Sequence, residues 1–291
     1  MKNKIPSDAS LMIIGSMKCG TTSLFHYLES HPGICPAKTK EPEYFSTFDS
    51  RMPKPERYED LFNFDPAVHR YAMEGSTGYT KFPNLKAKDV PRKIFEYGLR
   101  PKFIYMVRNP FERVVSHYNS NPKWKKEVTD KHLIGTTKYC QQLELYRKYF
   151  PLHEDLLLLD FDSFKKAPKE TLEKVYNFLG LKKTAFPKEY ENKNKTPSAT
   201  GWGACVGEFF VSNIMSRFPD PVKAFAQRLF SRLSKTKKEG LTKEERNAVL
   251  NELQEDMLRF QSLYGFDVSN WGFHHARERD DENSISEVVA W

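Results

Sequence analysis

The stretch LMIIGSMKCGTTSLFHYLES, residues 11–30, constrains the fold of this chain more than any other segment. It begins with a short apolar run that ends in glycine, and then places Leu24, Phe25 and Leu28 at helical spacing. This pattern predicts a strand, a loop and a helix. A loop of this kind aims backbone N–H groups and the positive end of the helix dipole at one point, which suits a phosphate group.

The residues inside the loop narrow the kind of ligand. Gly15 and Gly20 have the spacing of the nucleotide-binding pattern G-x-x-x-x-G-K-[ST], but Thr21 stands in the lysine position and the nearest lysine is Lys18. The same glycine spacing also occurs in tight strand-to-helix packing without a ligand. In nucleoside triphosphatases the lysine reaches the β- and γ-phosphates and the neighbouring hydroxyl binds Mg²⁺. The position of Lys18 instead favours one phosphate at the helix start and a transferring group beside the lysine.

The remaining apolar patterns predict the fold class. Three further runs are typical of strands buried in a parallel sheet: 71–74, 102–108 and 156–161. Helical patterns accompany them: 90–97, 111–119 and 168–179. Strands that alternate with helices predict an α/β fold, with a central parallel sheet flanked by helices.

The C-terminal third is less regular. Residues 182–204 are lysine-rich and without periodicity, so we expect a long loop, and 209–233 have apolar residues at helical steps. Thr242 and Glu245 form the capping-box pattern that begins a last helix.

Length and charge limit the classes of function. The 291 residues fit one domain over 1–271 with a charged tail over 272–291. The net charge of +8 indicates attraction to anions, but the basic residues form no long run and no nucleic-acid-binding motif is present.

The apolar run 11–14 is too short for a signal peptide or a membrane span. The four cysteines form no C-x-x-C pair. We therefore expect a cytoplasmic protein with no zinc site, no membrane span and no nucleic-acid partner.

Two motifs resemble those of the sulfotransferases, which use 3′-phosphoadenosine 5′-phosphosulfate (PAPS) as donor. GSMKCGTTSL, at 15–24, is similar to the loop that binds the 5′-phosphosulfate group. YMVRNPFERVVSHYN, at 105–119, is similar to the 3′-phosphate motif, in which Arg108 is followed eight residues later by Ser116. KTKEPEYFS, at 38–46, resembles the K-E-x-x-[FY]-F segment of the branch that contains heparan sulfate and related bacterial sulfotransferases.

The resemblance implies a P-loop-kinase-like sulfotransferase fold and a specific reaction. A sulfuryl group would pass in line from PAPS to a hydroxyl or amine of a small-molecule or sugar acceptor, with release of 3′-phosphoadenosine 5′-phosphate (PAP) and without a metal. EGSTGY, at 74–79, is similar to a further segment of the same branch, but carries Gly75 and Gly78 where that branch often has lysine and another residue.

The resemblance also implies which residues bind the donor. Lys18 would contact the 5′-phosphate and the bridging oxygen, and would therefore be catalytic as well as donor-binding. A loop over 193–202 would fold over the nucleotide, although a solvated charged loop is an equally simple interpretation. The complete donor-binding set is Lys18, Cys19, Gly20, Thr21, Thr22, Ser23, Arg108, Ser116, Lys195, Thr196 and Trp202.

The general base is predicted to be Glu41, which lies in the segment that resembles the carboxylate-bearing stretch of the heparan branch. Glu43 is the nearest competing carboxylate. Histidine is the base in cytosolic small-molecule sulfotransferases, so His117 and His69 are the rival candidates, and we rank His117 below Glu41 because it would flank the cofactor.

Simpler interpretations and another enzyme class stay open at this point. Arg108 could form only a surface ion pair with Glu112, and Ser116 could bond its own helix backbone. The rival enzyme class is a P-loop kinase that uses ATP and Mg²⁺, for which Asp160 and Asp162 are the candidate metal partners. The acceptor cleft is expected from three segments: 46–60, 119–137 and 209–233.

Overall fold

A five-stranded parallel sheet lies at the centre of the structure, a computed structural model that describes residues 5–48, 53–120, 127–183 and 238–274. The strand order is β2-β3-β1-β4-β5, so the first strand lies in the middle. The strands are β1 Ser10–Gly15, β2 Ile34–Pro36, β3 Tyr71–Gly75, β4 Lys102–Val107 and β5 Leu156–Asp160.

Helices connect and cover these strands. Those of the first half are α1 Thr21–Leu28, α2 Leu85–Lys88, α3 Val90–Glu96, α4 Pro110–Tyr118 and α5 Lys131–Gly135. They are followed by α6 Tyr139–Arg147, α7 Leu152–Asp155, α8 Phe161–Lys166, α9 Pro168–Leu179 and α10 Lys243–Tyr264. Short 3₁₀ turns occur at Tyr58–Leu61, Thr77–Thr80 and Ser269–Trp271.

The hydrophobic core has two parts, one on each face of the sheet. Met12 and Ile14 pack on the side covered by α3, α4, α6 and α10. Leu11 and Ile13 pack on the other side, against α1, α8 and α9. Successive residues of a strand point to opposite faces, and here both faces are buried, so the run LMII is apolar throughout instead of alternating.

The sequence-based prediction of the fold class is confirmed, and the predicted elements match the observed ones closely. Each of the four predicted strands is present, with β4 ending at Val107 and β5 at Asp160. The helical patterns over 90–97, 111–119 and 168–179 correspond to α3, α4 and α9. The three-residue strand β2 was not predicted, because so short a segment has no readable periodicity.

The last helix begins as its capping box predicts. The Thr242 hydroxyl accepts the Glu245 N–H at 3.2 Å, and the Glu245 carboxylate accepts the Thr242 N–H at 2.9 Å. Asp256 of α10 then accepts the N–H groups of Cys140 and Gln141, at 3.0 and 2.9 Å. These two donors belong to the first turn of α6, so a buried carboxylate caps α6 and joins it to α10.

The described C-terminal residues extend slightly into the segment assigned to the tail. Phe273 is buried and its ring stacks on that of Phe111, with centroids 5.6 Å apart. The predicted helix over 209–233, and the predicted loop from residue 184 onward, lie outside the described residues. Within the described ranges, none of the helices has both the length and the apolar character needed to cross a bilayer.

Candidate active site

The loop between β1 and α1 lies at the carboxyl end of the central strand. The Ser16 N–H donates to the Met106 carbonyl of β4 at 2.6 Å, which ties the start of the loop to the neighbouring strand. Gly20 has a φ of +82°, and a Cβ there would come within 2.5 Å of the Phe161 ring. Glycine is therefore required at the point where the loop enters α1.

The hydroxyl and thiol side chains at the start of α1 differ in their exposure to solvent. The side chains of Thr22 and Ser23 are exposed at the start of the helix, whereas Thr21 is buried. The Cys19 thiol is fully buried, 4.0 Å from the Tyr139 hydroxyl, and its burial raises its pKa to about 11. The Cys19 N–H bonds the Ser16 carbonyl at 3.2 Å, so Cys19 shapes the loop while Thr22 and Ser23 remain the accessible hydroxyls.

Lys18 extends from the loop into a cluster of positive charge. Its φ is +71°, in the left-handed region. Its pKa is lowered, first by burial of the side chain and then by the positive charges of Arg108 and Arg113. Because an anion bound among these three side chains would relieve their mutual repulsion, the cluster suits a phosphate or sulfate group.

Arg108 follows the end of β4 and is anchored through its backbone. Its carbonyl accepts the Tyr139 hydroxyl at 2.7 Å. Its guanidinium Nη2 and Nε bond Glu112 Oε2 at 2.7 and 3.2 Å, so the ion pair anticipated from the sequence is present. The guanidinium also lies 5.0 Å from the centroid of the Phe161 ring. Within the described residues Nη1 makes no hydrogen bond, and Ser116 lies partly buried on the helix that Arg108 precedes.

Arg113 is a site residue that the sequence reasoning missed. It is fully buried, and its Nε donates to the Met17 carbonyl in the loop at 3.1 Å. Its two terminal nitrogens donate to the hydroxyls of Thr137 and Thr136, at 2.7 and 2.9 Å. Arg113 therefore stabilises the loop from its buried side and adds a permanent positive charge. Helical spacing could have revealed it, because Arg113 shares the buried face of α4 with Pro110, Val114 and His117.

The two histidines that rival Glu41 are placed unfavourably for a general base. His117 is buried, with Nδ1 3.3 Å from a terminal nitrogen of Arg113. Burial first, and then the charges of Arg113 and His132, lower its pKa to about 2. His69 lies just before β3, at the amino end of a strand whose carboxyl end is at the loop. A neutral imidazole beside a buried arginine is a poor proton acceptor, and His69 is at the opposite edge of the sheet.

Glu41 lies at the carboxyl edge of the sheet, beside the end of β3. Its N–H donates to the Gly75 carbonyl at 3.0 Å. Its Oε1 accepts from Lys40 Nζ at 2.9 Å and from the Thr77 hydroxyl at 3.4 Å. Gly75 is also the register partner of Ile13 in β1, so the fold brings Glu41 to the same edge as the Lys18 loop.

A buried carboxylate network supports this edge. Glu74, the residue before Gly75, is fully buried, and accepts the Ser76 hydroxyl at 2.8 Å and the Tyr79 hydroxyl at 2.9 Å. Burial is the main cause that raises its pKa to about 7. The negative charge of the nearby Glu43 acts in the same direction.

Glu74→Gln is expected to change how stability depends on pH. The folded pKa of about 7 lies above the ordinary glutamate value of 4.5, so Glu74 stabilises the fold most below about pH 4.5, and this contribution is lost as the pH rises through 7. Over that pH range the free energy of unfolding of the wild type should therefore fall by about 3 kcal/mol relative to that of the variant. Urea unfolding of both proteins from pH 4.5 to 8 measures the difference, and parallel curves would contradict the assignment.

Several predicted site residues cannot be placed. Lys195, Thr196 and Trp202 lie outside the described residues, as does the rest of the loop over 193–202. Asp160, a candidate metal partner in the kinase interpretation, instead caps α8: its Oδ2 accepts the N–H and the hydroxyl of Ser163 at 2.7 and 2.8 Å.

Comparison with protein-family models gives one match that covers most of the described fold. Residues 8–197 match the family described as "Sulfotransferase domain". This range contains the Lys18 loop, the Glu41 segment and the motif that begins at Arg108.

Curated relatives agree with this match over part of their length. The chain is 25% identical over 197 residues to human "Heparan sulfate glucosamine 3-O-sulfotransferase 6", which covers 62% of this chain and 54% of the relative. It is 28% identical over 204 residues to human "Heparan sulfate glucosamine 3-O-sulfotransferase 3B1", which covers 63% of this chain and 49% of that relative. The chain thus spans about half the length of these curated relatives.

A solved structure supports the fold. The chain matches the "Sulfotransferase from Alicyclobacillus acidocaldarius" with a TM-score of 0.62 and 18% identity, over 92% of this chain and 99% of the other. At this identity the likeness extends to the fold alone.

Proposed function

Because this chain belongs to the sulfotransferase domain family, we propose that it transfers a sulfuryl group from PAPS to a hydroxyl or amino group of an acceptor. The observation that carries the proposal is the meeting of three features at one sheet edge: the loop with Lys18, the Arg108 side chain and the Glu41 carboxylate. The kinase alternative is not favoured, since the matching family transfers sulfuryl groups and Asp160 is engaged in capping α8.

The described residues fit a nucleotide that carries one phosphate group on the 5′ oxygen of its ribose and another on the 3′ oxygen. The loop amides and the exposed hydroxyls of Thr22 and Ser23 would hold the 5′-phosphosulfate at the start of α1. Arg108 and Ser116, placed at the end of β4 and on α4, would hold the 3′-phosphate. PAPS supplies an activated sulfuryl group, and no metal is assigned a role. Lys195, Thr196 and Trp202 remain predicted contacts of the same nucleotide.

Lys18 and Glu41 would take part directly in the transfer step. The leaving phosphate gains negative charge as the sulfuryl group departs, and Lys18 would stabilise that charge. Glu41 would accept the proton of the attacking hydroxyl, as its carboxylate is at the same sheet edge and is 28% exposed. Arg113 would keep the loop in position through the Met17 carbonyl. His117, with a pKa of about 2, is a weaker candidate for the base.

The acceptor is proposed as a sugar hydroxyl in the first instance. The curated relatives named above are heparan sulfate glucosamine 3-O-sulfotransferases, which supports testing glucosamine-containing heparan sulfate oligosaccharides before small alcohols and amines. Incubation with ³⁵S-labelled PAPS and each acceptor, with and without EDTA, tests the proposal. Label should enter an acceptor in both conditions. In a parallel incubation with γ-³²P-labelled ATP, labelling of the acceptor that EDTA abolishes would support the kinase instead. The cytoplasmic location stays a prediction.

Arg108→Ala is expected to weaken the binding of PAP without affecting AMP. The 3′-phosphate is the group that distinguishes these nucleotides, and one lost charge-assisted contact corresponds to about 1.5–3 kcal/mol, or roughly one to two orders of magnitude in affinity. Calorimetry on both ligands measures the effect.

Arg92→Ala is the matched control for this variant. Arg92 forms an ion pair with Glu96 at the same i,i+4 helical spacing, on the exposed surface of α3, and the variant should bind PAP normally. Equal affinity of the wild type for PAP and AMP would overturn the role given to Arg108.

A further inference from the structure

The segment that carries Glu41 has an unusual backbone. Glu41 and Glu43 have φ values of +62° and +50°, in the left-handed region that residues other than glycine rarely adopt. Surrounding contacts must hold such a segment in place. Glu43 makes two of them, to Ser76 and Gly78.

Glu43 is buried, and both its carboxylate and its backbone N–H are hydrogen-bonded. It is 3% exposed. Its Oε1 accepts the Gly78 N–H at 2.8 Å, and its Oε2 accepts the Ser46 hydroxyl at 2.6 Å. Its own N–H donates to the Ser76 hydroxyl at 3.1 Å. Glu43 therefore joins the segment over 41–46 to the turn that follows β3.

The same turn provides the contacts of Glu41. The Glu41 N–H donates to the Gly75 carbonyl, and the Thr77 hydroxyl donates to Glu41 Oε1. Gly75 and Thr77 bond Glu41, whereas Ser76 and Gly78 bond Glu43. The partners of the two glutamates thus alternate along the chain. Together, Glu41 and Glu43 therefore bond the four consecutive residues 75–78.

Gly78 leaves the space that the Glu43 carboxylate occupies. A Cβ added to Gly78 would lie 2.1 Å from Glu43 Oε2, and the next two nearest atoms are also in the Glu43 carboxyl group. Gly78 has no positive φ that would require glycine for its backbone. Glycine at position 78 therefore leaves the space that the Glu43 carboxylate needs.

We propose that Glu43 is a positioning residue that, by docking its carboxylate on the Gly78 amide, holds Glu41 in place for proton removal. This inference rests on the proposed function of Glu41. Glu43 itself is not assigned a contact with the acceptor, because both of its carboxylate oxygens bond the protein and burial raises its pKa.

A double-mutant cycle at Glu43 and Gly78 tests the inference. Glu43→Ala and Gly78→Ala should each lower turnover by about 10- to 100-fold, because a displacement of about 1 Å at a reacting group has effects of this size. The double variant should be no slower than Glu43→Ala, since the added methyl group then has no carboxylate to displace. Glu43→Gln, which keeps one acceptor oxygen, should recover part of the turnover. Gly240→Ala is the control, as its added Cβ meets no atom within 4 Å.

Three readouts separate the possible outcomes. Turnover is measured with ³⁵S-labelled PAPS and a glucosamine-containing heparan sulfate oligosaccharide, PAP affinity by calorimetry, and amide hydrogen exchange by mass spectrometry or NMR. The inference requires unchanged PAP affinity with lowered turnover, and faster exchange at the Gly78 and Glu41 amides in Glu43→Ala.

The outcomes also separate this inference from the proposed function. If the wild type fails to bind PAP, or transfers label from PAPS to none of the sugars, alcohols and amines tested, the proposed function is wrong, while the exchange data still decide whether Glu43 holds the Glu41 segment. Normal turnover in Glu43→Ala, unchanged amide exchange, or a full additional loss from Gly78→Ala in the Glu43→Ala background would overturn the positioning role.

Discussion

Replacing Glu41 with glutamine is expected to lower turnover by about two to four orders of magnitude and to leave the affinity for PAP nearly unchanged. Glutamine keeps the shape of the side chain and one acceptor oxygen, so the contacts from Lys40 and Thr77 can persist. The negative charge is removed, and with it the ability to take a proton. Turnover with a sulfated product as readout, together with calorimetry for PAP, measures the two effects separately.

The pH profile gives an independent check on the base. A carboxylate base produces a rate that rises in the acidic range and stays high near neutrality, whereas an ordinary histidine base places the rise near pH 6 to 7. His117 would produce neither a normal histidine profile nor efficient proton removal, because its pKa is about 2.

A matched glutamate supplies the control for Glu41. Glu96→Gln changes an exposed carboxylate of α3 and should have normal turnover. A Glu41→Gln enzyme that keeps most of its turnover, beside a His117→Ala enzyme that does not, would transfer the role of base to the histidine.

Replacing Lys18 with alanine is expected to lower turnover by about 10²- to 10³-fold, and to weaken PAP binding far less. The contact from Lys18 strengthens as the leaving phosphate gains charge, so its loss falls mainly on the transition state. Comparing kcat, KM and PAP affinity for the two proteins measures this division.

The environment of Lys18 adds a pH-dependent expectation to this variant. Burial and the charges of Arg108 and Arg113 lower its pKa, so in the free enzyme Lys18 loses its proton at a lower pH than an ordinary lysine. In kcat/KM, the alkaline decline should therefore begin earlier than for an ordinary lysine, and Lys18→Arg should move it to higher pH.

Lys183→Ala is the control, because Lys183 forms an exposed ion pair with Glu173. A Lys18→Ala enzyme with normal kcat and only a raised KM would show that Lys18 contributes binding alone.

The site was only partly readable from the sequence. Lys18, Arg108 and Glu41 were predicted because their segments resemble sulfotransferase motifs, and the fold brings these three segments to one edge of the sheet. Arg113 was missed, since its hydrogen bonds reach Met17 in the loop and Thr137 near α6, which are far from it along the chain. The local pattern around Arg113 gives no sign of these partners.

The sequence by itself determined the alternating strands and helices, because buried parallel strands must be apolar on both faces and helices must repeat their apolar positions. It also indicated the turn between β1 and α1, because the spacing of Gly15 and Gly20 between a strand pattern and a helix pattern is visible along the chain. Only the tertiary structure decided that Glu43 supports Glu41, because the link depends on the close approach of Glu43 to Gly78. It also decided that His117 is neutral, because desolvation and the charge of Arg113 act only once the chain has folded around the imidazole.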